Sequence, residues 1–230
     1  MFKENGFEVI RNAVSEDACV IMSHEFRMIR KCESIWSGKS DQEYFQKGDE
    51  QVELSYAMYG LPFSEALTIR LTSLVENVVG EKLHPCYSYA RAYYKGATMS
   101  AHIDRPSCQY SVTLCLDWDR TDWPIGIKDY AGNDHLIQLD PGDLIIYNGS
   151  ELTHWRDEYA GNEQLQCFLH YVVQDGPFDE MKYDTRPYMG TAPDLKNQDL
   201  IYRLNEKHRV DWMNRNDQVL EDLYGTKNEG

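Results

Sequence analysis

The stretch PGDLIIYNGSELTH, residues 141–154, reads as a turn, a strand and a short loop ending on a histidine. Pro141 and Gly142 set the turn, and the apolar run from Asp143 to Tyr147 is extended. A loop through Asn148 and Gly149 then delivers His154. Fifty residues before that histidine, in SAHIDRP (residues 100–106), Asp104 follows two positions after His102. Side chains alternate along a strand, so in an extended segment His102 and Asp104 point to one face. Such a pair can hydrogen-bond to itself or hold a metal ion.

The segments around these residues read as further strands. CYSYARAYY, TMSAHID, QYSVTLCLDW, DHLIQLD, DLIIYNG and EQLQCFLHYVV are rich in Tyr, Val, Ile, Leu and Thr. YKGA, IDRPS, DYAGND, DPGD and YAGN separate them as turns. Short strands at this spacing predict a jelly roll. On one face of such a closed β-structure, His102, Asp104 and His154 make a 2-His-1-carboxylate set. That set leaves open positions on non-haem Fe(II) for a co-substrate and O2. Zn(II) also binds such groups, but structural zinc prefers a closed tetrahedral site, usually with thiolates.

Helical signals flank the strands. SEDACVIMSHEFRMIRKC has Ser15 as N-cap and places Ala18, Ile21, Met22, Phe26 and Ile29 at helical spacing. PFSEALTIRLTSLVENVVG predicts a second helix, capped by Ser64 and stopped at Gly80. Residues 31–61 show no clean period and read as a long insertion. DWMNRNDQVLEDLYG predicts a terminal helix that packs Trp212 or Met213, Leu220 and Tyr224. The expectation is one domain over 1–230: a helical part over 1–84, a β core over 85–175 and a helical extension over 176–230.

Composition narrows the function classes. The 230 residues include 38 acidic and 23 basic ones, for a formal charge of -15. That field repels phosphate backbones, so duplex nucleic acid is a poor partner. No apolar segment reaches the length of a membrane span, and MFKENGFEVI lacks a basic-then-apolar leader pattern. The six cysteines, at 19, 32, 86, 108, 115 and 167, form no CxxC pair. They read as reduced core thiols in a cytoplasmic protein.

Taken together, GFEVIRNAVSEDACV, YARAYYKGATMSAHID, YSVTLCLDW and PGDLIIYNGSELTH resemble the 2-oxoglutarate- and Fe(II)-dependent oxygenase superfamily, near its prolyl-hydroxylase-like branch. The resemblance covers roughly residues 5–30 and 85–175. It implies a mainly β fold with flanking helices, a double-stranded β-helix of jelly-roll, cupin-like type. It implies Fe(II) at His102, Asp104 and His154, with 2-oxoglutarate and O2 as co-substrates and ascorbate as a reductant. The implied reaction is hydroxylation of a C–H bond in a small molecule or peptidyl side chain, with release of succinate and CO2. Tyr93 falls at the position that hydrogen-bonds the co-substrate. His170 reads as a core or supporting histidine.

One position departs from the resemblance. A basic residue expected nine or ten positions after the second histidine is replaced by Glu163 and Gln164. Gln164 donates a hydrogen bond but brings no charge, and a charged, bidentate contact is about twice as strong. Another cation is then expected to anchor the distal carboxylate, the alternative for each candidate arginine being an internal ion pair with one of the many acids. Arg91 shares a strand face with Tyr93 and is the first candidate; Arg156, two residues after His154, is the second. Arg105 falls on the opposite face if the strand continues. The missing basic residue also feeds a rival reading, a non-catalytic cupin-like sensor holding Zn(II) or Ni(II). IWSGKSDQEYF (35–45) and DWDRTDWPIG (117–126) read as a substrate mouth or a partner surface, and the C-terminal helices as a route to oligomers.

Overall fold

The structure, a computed structural model, describes residues 2–40, 48–49, 51–190, 214–216 and 218–219. Among the described residues, ten strands form two sheets: β1 (Phe7–Ile10), β2 (Ser55–Tyr59), β3 (Leu83–Tyr94), β4 (Met99–His102), β5 (Tyr110–Trp118), β6 (Ile125–Lys128), β7 (Asp134–Ile137), β8 (Leu144–Tyr147), β9 (His154–Arg156) and β10 (Glu163–Val173). One sheet has the order β1-β8-β5-β10-β3-β2 and the other β4-β9-β6-β7. Every pairing is antiparallel.

The alternation of side chains decides what each face of the large sheet does. Ala90, Ala92, Val112, Leu114, Leu165, Cys167 and Leu169 point outward into the main core. Two helices cover them, α2 (Glu16–Ser37) and α3 (Pro62–Val79), after a short α1 (Phe2–Asn5). Met22, Phe26, Leu71, Val75 and Val79 supply the helical side of that core. The intervening residues of the same strands, Tyr87, Tyr89, Arg91, Tyr93, Thr113, Phe168 and His170, face inward and line a cavity. A second apolar cluster, with Phe7, Ile125, Ile127, Ile145 and Leu152, fills another part of the interior.

The jelly-roll expectation holds, and the helical part over 1–84 also contains β1 and β2. β1 and β2 lie at the two edges of the large sheet. β2 hides in residues 31–61 because its cavity side carries Ser55 and Ala57, which breaks the apolar alternation. Ser15 does cap α2, accepting from the Ala18 amide. Ile21 is exposed, and Cys19 takes a buried place on that helix instead. Ser64 is not a cap: α3 starts with Pro62 at its first turn, and Ser64 is buried inside the helix. Proline there loses no helical hydrogen bond, so it replaces the side-chain cap. All six cysteines are free thiols and only Cys32 is exposed. No helix among the described residues is long and apolar enough to cross a membrane. Trp212, Met213, Leu220 and Tyr224 lie outside the described residues.

Candidate metal centre and its cavity

β4 ends at His102, so Asp104 is not held by strand continuity. The Asp104 amide donates instead to the Gly149 carbonyl at 2.7 Å, tying the HxD segment to the turn after β8. Across the sheet, His102 is the register partner of His154 on β9. The two histidine Nε2 atoms lie 3.7 Å and 3.5 Å from the same oxygen, Asp104 Oδ1. One donor atom from each of the three residues falls within 4.8 Å of the others.

Hydrogen bonds set the tautomers. His102 Nδ1 lies 2.8 Å from the Ser100 carbonyl, and His154 Nδ1 lies 2.9 Å from the Leu152 carbonyl. A carbonyl only accepts, so each Nδ1 carries the proton and each Nε2 of the neutral ring keeps its lone pair. Burial, with His154 nearby, pushes His102 down to about 4, which favours that neutral form. Burial alone would raise Asp104, but His154 and then His102 outweigh it and hold the carboxyl well below the usual range. His154 differs: burial would lower it, but Asp104 raises it, so a divalent ion must displace its Nε2 proton. With that proton gone, two imidazole nitrogens and an ionised carboxylate are the donor set that a divalent ion with open positions needs.

Asp104 is braced from behind. Its Oδ2 accepts from the Ser111 hydroxyl at 2.8 Å, and the same hydroxyl lies 3.0 Å from His170 Nδ1. Asp104, Cys108 and His170 also bring donor atoms within 4.8 Å of one another, but the group shares Asp104 with the first. The expectation of a supporting role for His170 matches this geometry. Asn216, from the C-terminal region, accepts from the Ile103 amide between His102 and Asp104 at 2.8 Å. Neither Ser111 nor Asn216 carries a sequence signal that marks it.

Gly149 explains a feature of PGDLIIYNGSELTH. A Cβ at this position would lie 2.6 Å from both the Cys108 carbonyl and the Ser111 hydroxyl, and would collide with Asp104 Oδ2. Gly149→Ala is therefore expected to displace the carboxylate and its brace. Disturbing the support of a ligand costs about 10–100-fold in metal affinity. A Co(II) titration checks this; unchanged affinity would show that the loop yields without moving Asp104.

The three residues open into a cavity of about 790 Å3. Arg91, Tyr93 and Arg156 line it; Gln164 does not. Gln164 reaches only Cys115 Sγ, at 3.9 Å, and its Oε1 has no partner among the described residues. Arg91 is 4% exposed and already carries a carboxylate: Asp49 bonds its two terminal nitrogens at 3.1 Å and 2.8 Å. Arg156 differs. It is 3% exposed, donates to the Trp123 carbonyl at 2.6 Å and to Gln166 Oε1 at 2.9 Å, and leaves its Nε unpartnered. Among the described residues no carboxylate pairs with it, and burial lowers its pKa. A buried guanidinium without an anion is costly. Arg105 also lines the cavity, over the Tyr87 ring at 4.6 Å, because the strand stops before it. Trp123 is buried between Arg156 and Tyr159, so that part of DWDRTDWPIG packs in the interior rather than at a mouth. In IWSGKSDQEYF, Ile35 and Trp36 are exposed, and residues 41–45 lie outside the described residues.

No family model matches the sequence, and no curated protein matches it. Solved structures do match the fold. A prolyl-4-hydroxylase from Pseudomonas putida aligns over 75% of this chain and 95% of its own, at 17% identity and a TM-score of 0.57. HygX from Streptomyces hygroscopicus, solved with nickel and 2-oxoglutarate bound, covers 75% of this chain and 84% of its own, at 14% identity and a TM-score of 0.57. SnoK, an α-ketoglutarate-dependent carbocyclase from nogalamycin biosynthesis, covers 84% of this chain and 90% of its own, at 10% identity and a TM-score of 0.59. At these identities the likeness is one of architecture: the chain has the double-stranded β-helix fold of 2-oxoglutarate-dependent oxygenase structures.

Proposed function

We propose that this chain is an Fe(II)- and 2-oxoglutarate-dependent dioxygenase. It hydroxylates an unactivated C–H bond of a small molecule or peptidyl side chain, with release of succinate and CO2. His102, Asp104 and His154 hold the iron. One observation carries the reading: these three donors share a cavity with a buried guanidinium, Arg156, that has no carboxylate partner among the described residues. The bound nickel and 2-oxoglutarate of HygX support it by likeness of fold.

Iron bound at the three donors would couple O2 activation to oxidative decarboxylation of the keto acid. The chain's own groups do the rest. The Asp104 carboxylate, held ionised and braced by Ser111, keeps one donor fixed. Arg156, oriented by Gln166 and the Trp123 carbonyl, receives the distal carboxylate of 2-oxoglutarate in place of the basic residue missing at 163–164. Burial raises the Tyr93 and Tyr147 phenols, so both stay protonated and can donate to a bound oxyanion. The free thiols support a reducing, cytoplasmic setting, where ascorbate or a similar reductant keeps iron ferrous.

Incubation with Fe(II), ascorbate, O2 and 2-oxoglutarate tests the reading through succinate. Slow succinate formation without any prime substrate is expected, well above that of Asp104→Ala. Equal yields from the two proteins would remove the case for an oxygenase.

A further inference from the structure

Arg91 is buried on the cavity wall, and the keto-acid reading gives its charge no task. Its partner shows what it does. Asp49 places both carboxylate oxygens on the Arg91 terminal nitrogens, at 3.1 Å and 2.8 Å. The same carboxylate organises a turn, its Oδ1 accepting from the Gln51 amide at 3.1 Å and the Val52 amide at 2.9 Å. Backbone bonds close the turn from Gly48 to Ser55 at 3.0 Å and from Asp49 to Val52 at 3.1 Å. Val52 is buried with Tyr93, Met99 and Trp123. Gln51 thus sits between two anchors, a buried ion pair on one side and a core residue on the other.

Its side chain ends in the metal site. Gln51 Nε2 lies 3.0 Å from His102 Nε2. His102 gives its Nδ1 proton to the Ser100 carbonyl, so Nε2 is the acceptor and the Gln51 amide the donor. That lone pair is the one a metal ion at the triad takes. With an ion in place, the carboxamide cannot keep this bond, yet the turn still holds it beside the ion. We propose that Gln51 is a positioning residue for the metal's open face, donating through Nε2 to an oxygen ligand that occupies an open position. Arg91 and Asp49 form the clasp that delivers it. The inference rests on the assignment of His102, Asp104 and His154 as metal ligands. It assigns Arg91 a role other than anchoring 2-oxoglutarate.

The test uses Co(II) alone as probe, read by visible absorption and by titration of affinity, with thermal melts to verify folding. Gln51→Glu puts a carboxylate where the amide stands. Ligand charge and number set divalent-ion affinity, so Co(II) binding should tighten by about tenfold or more, with a changed visible band. Adding Asp49→Asn or Arg91→Gln to the Gln51→Glu background should cancel that gain, because the clasp is then lost. If the parent binds Co(II), His154→Ala does not, and Gln51→Glu binds no tighter than the parent, Gln51 does not reach the ion and the inference fails alone. If the gain survives both clasp substitutions, the delivery by Arg91 and Asp49 is wrong. If the parent itself does not bind Co(II), the metal assignment fails first.

Discussion

Replacing His154 by alanine is expected to abolish tight metal binding. His154 is 2% exposed, with Nδ1 fixed on the Leu152 carbonyl and Nε2 3.5 Å from Asp104 Oδ1. The ring cannot be replaced by a neighbour, because His102 occupies the facing register position and His170 lies behind Ser111. The loss is compounded at Asp104. Burial pushes that carboxyl upward, and His154 is the main influence holding it down. Without the imidazole, the strongest restraint on that carboxyl is gone. Disturbing merely the partners of a ligand costs about 10–100-fold in affinity, so losing a ligand outright should cost more than about 100-fold. Co(II) titration of parent and His154→Ala measures this directly. Unchanged affinity would mean that the third ligand comes from elsewhere.

Arg156→Gln should strike the keto acid rather than the metal. The guanidinium is held from two sides, by the Trp123 carbonyl and Gln166, and stacks on Trp123 at 4.6 Å. Its position is therefore built before any ligand arrives, which spares the ordering cost on binding. Hydrogen bonds to charged groups are worth about 1.5–3 kcal/mol, so loss of this one should weaken 2-oxoglutarate by roughly tenfold or more. Arg156→Lys keeps the charge but not the planar fork, and should fall between the two. Arg91→Gln is the comparison. If Arg91→Gln weakens 2-oxoglutarate and Arg156→Gln does not, the distal carboxylate lies at Arg91 and must displace Asp49.

Much of this was legible in the sequence, for particular reasons. His102, Asp104 and His154 stand next to strong turn and strand signals, and strand periodicity puts Arg91 and Tyr93 on one face, where both line the cavity. What periodicity could not supply was the partner of a charge. Arg91 and Arg156 look alike in a strand pattern, and only the folded chain shows Asp49 on one and, among the described residues, no carboxylate on the other. Asp49 lies 42 residues before Arg91, in a stretch without apolar period. Short strands were missed where polar or small residues fill one face, as in β2, or where three residues suffice, as in β9. Arg105 reads onto the opposite face only if the strand continues; it ends at His102, and Arg105 lines the cavity. Ser111, Gln166 and Asn216 matter through contacts made across the fold, which no local spacing encodes.

The central claim is that one cavity holds iron and 2-oxoglutarate together. It is tested most directly by adding Fe(II) without oxygen, then 2-oxoglutarate, and recording the visible spectrum. A weak charge-transfer band that appears only with the keto acid, and is lost in Asp104→Ala, is the predicted result. Iron binding with no response to 2-oxoglutarate would contradict the oxygenase account and favour a metal-binding sensor.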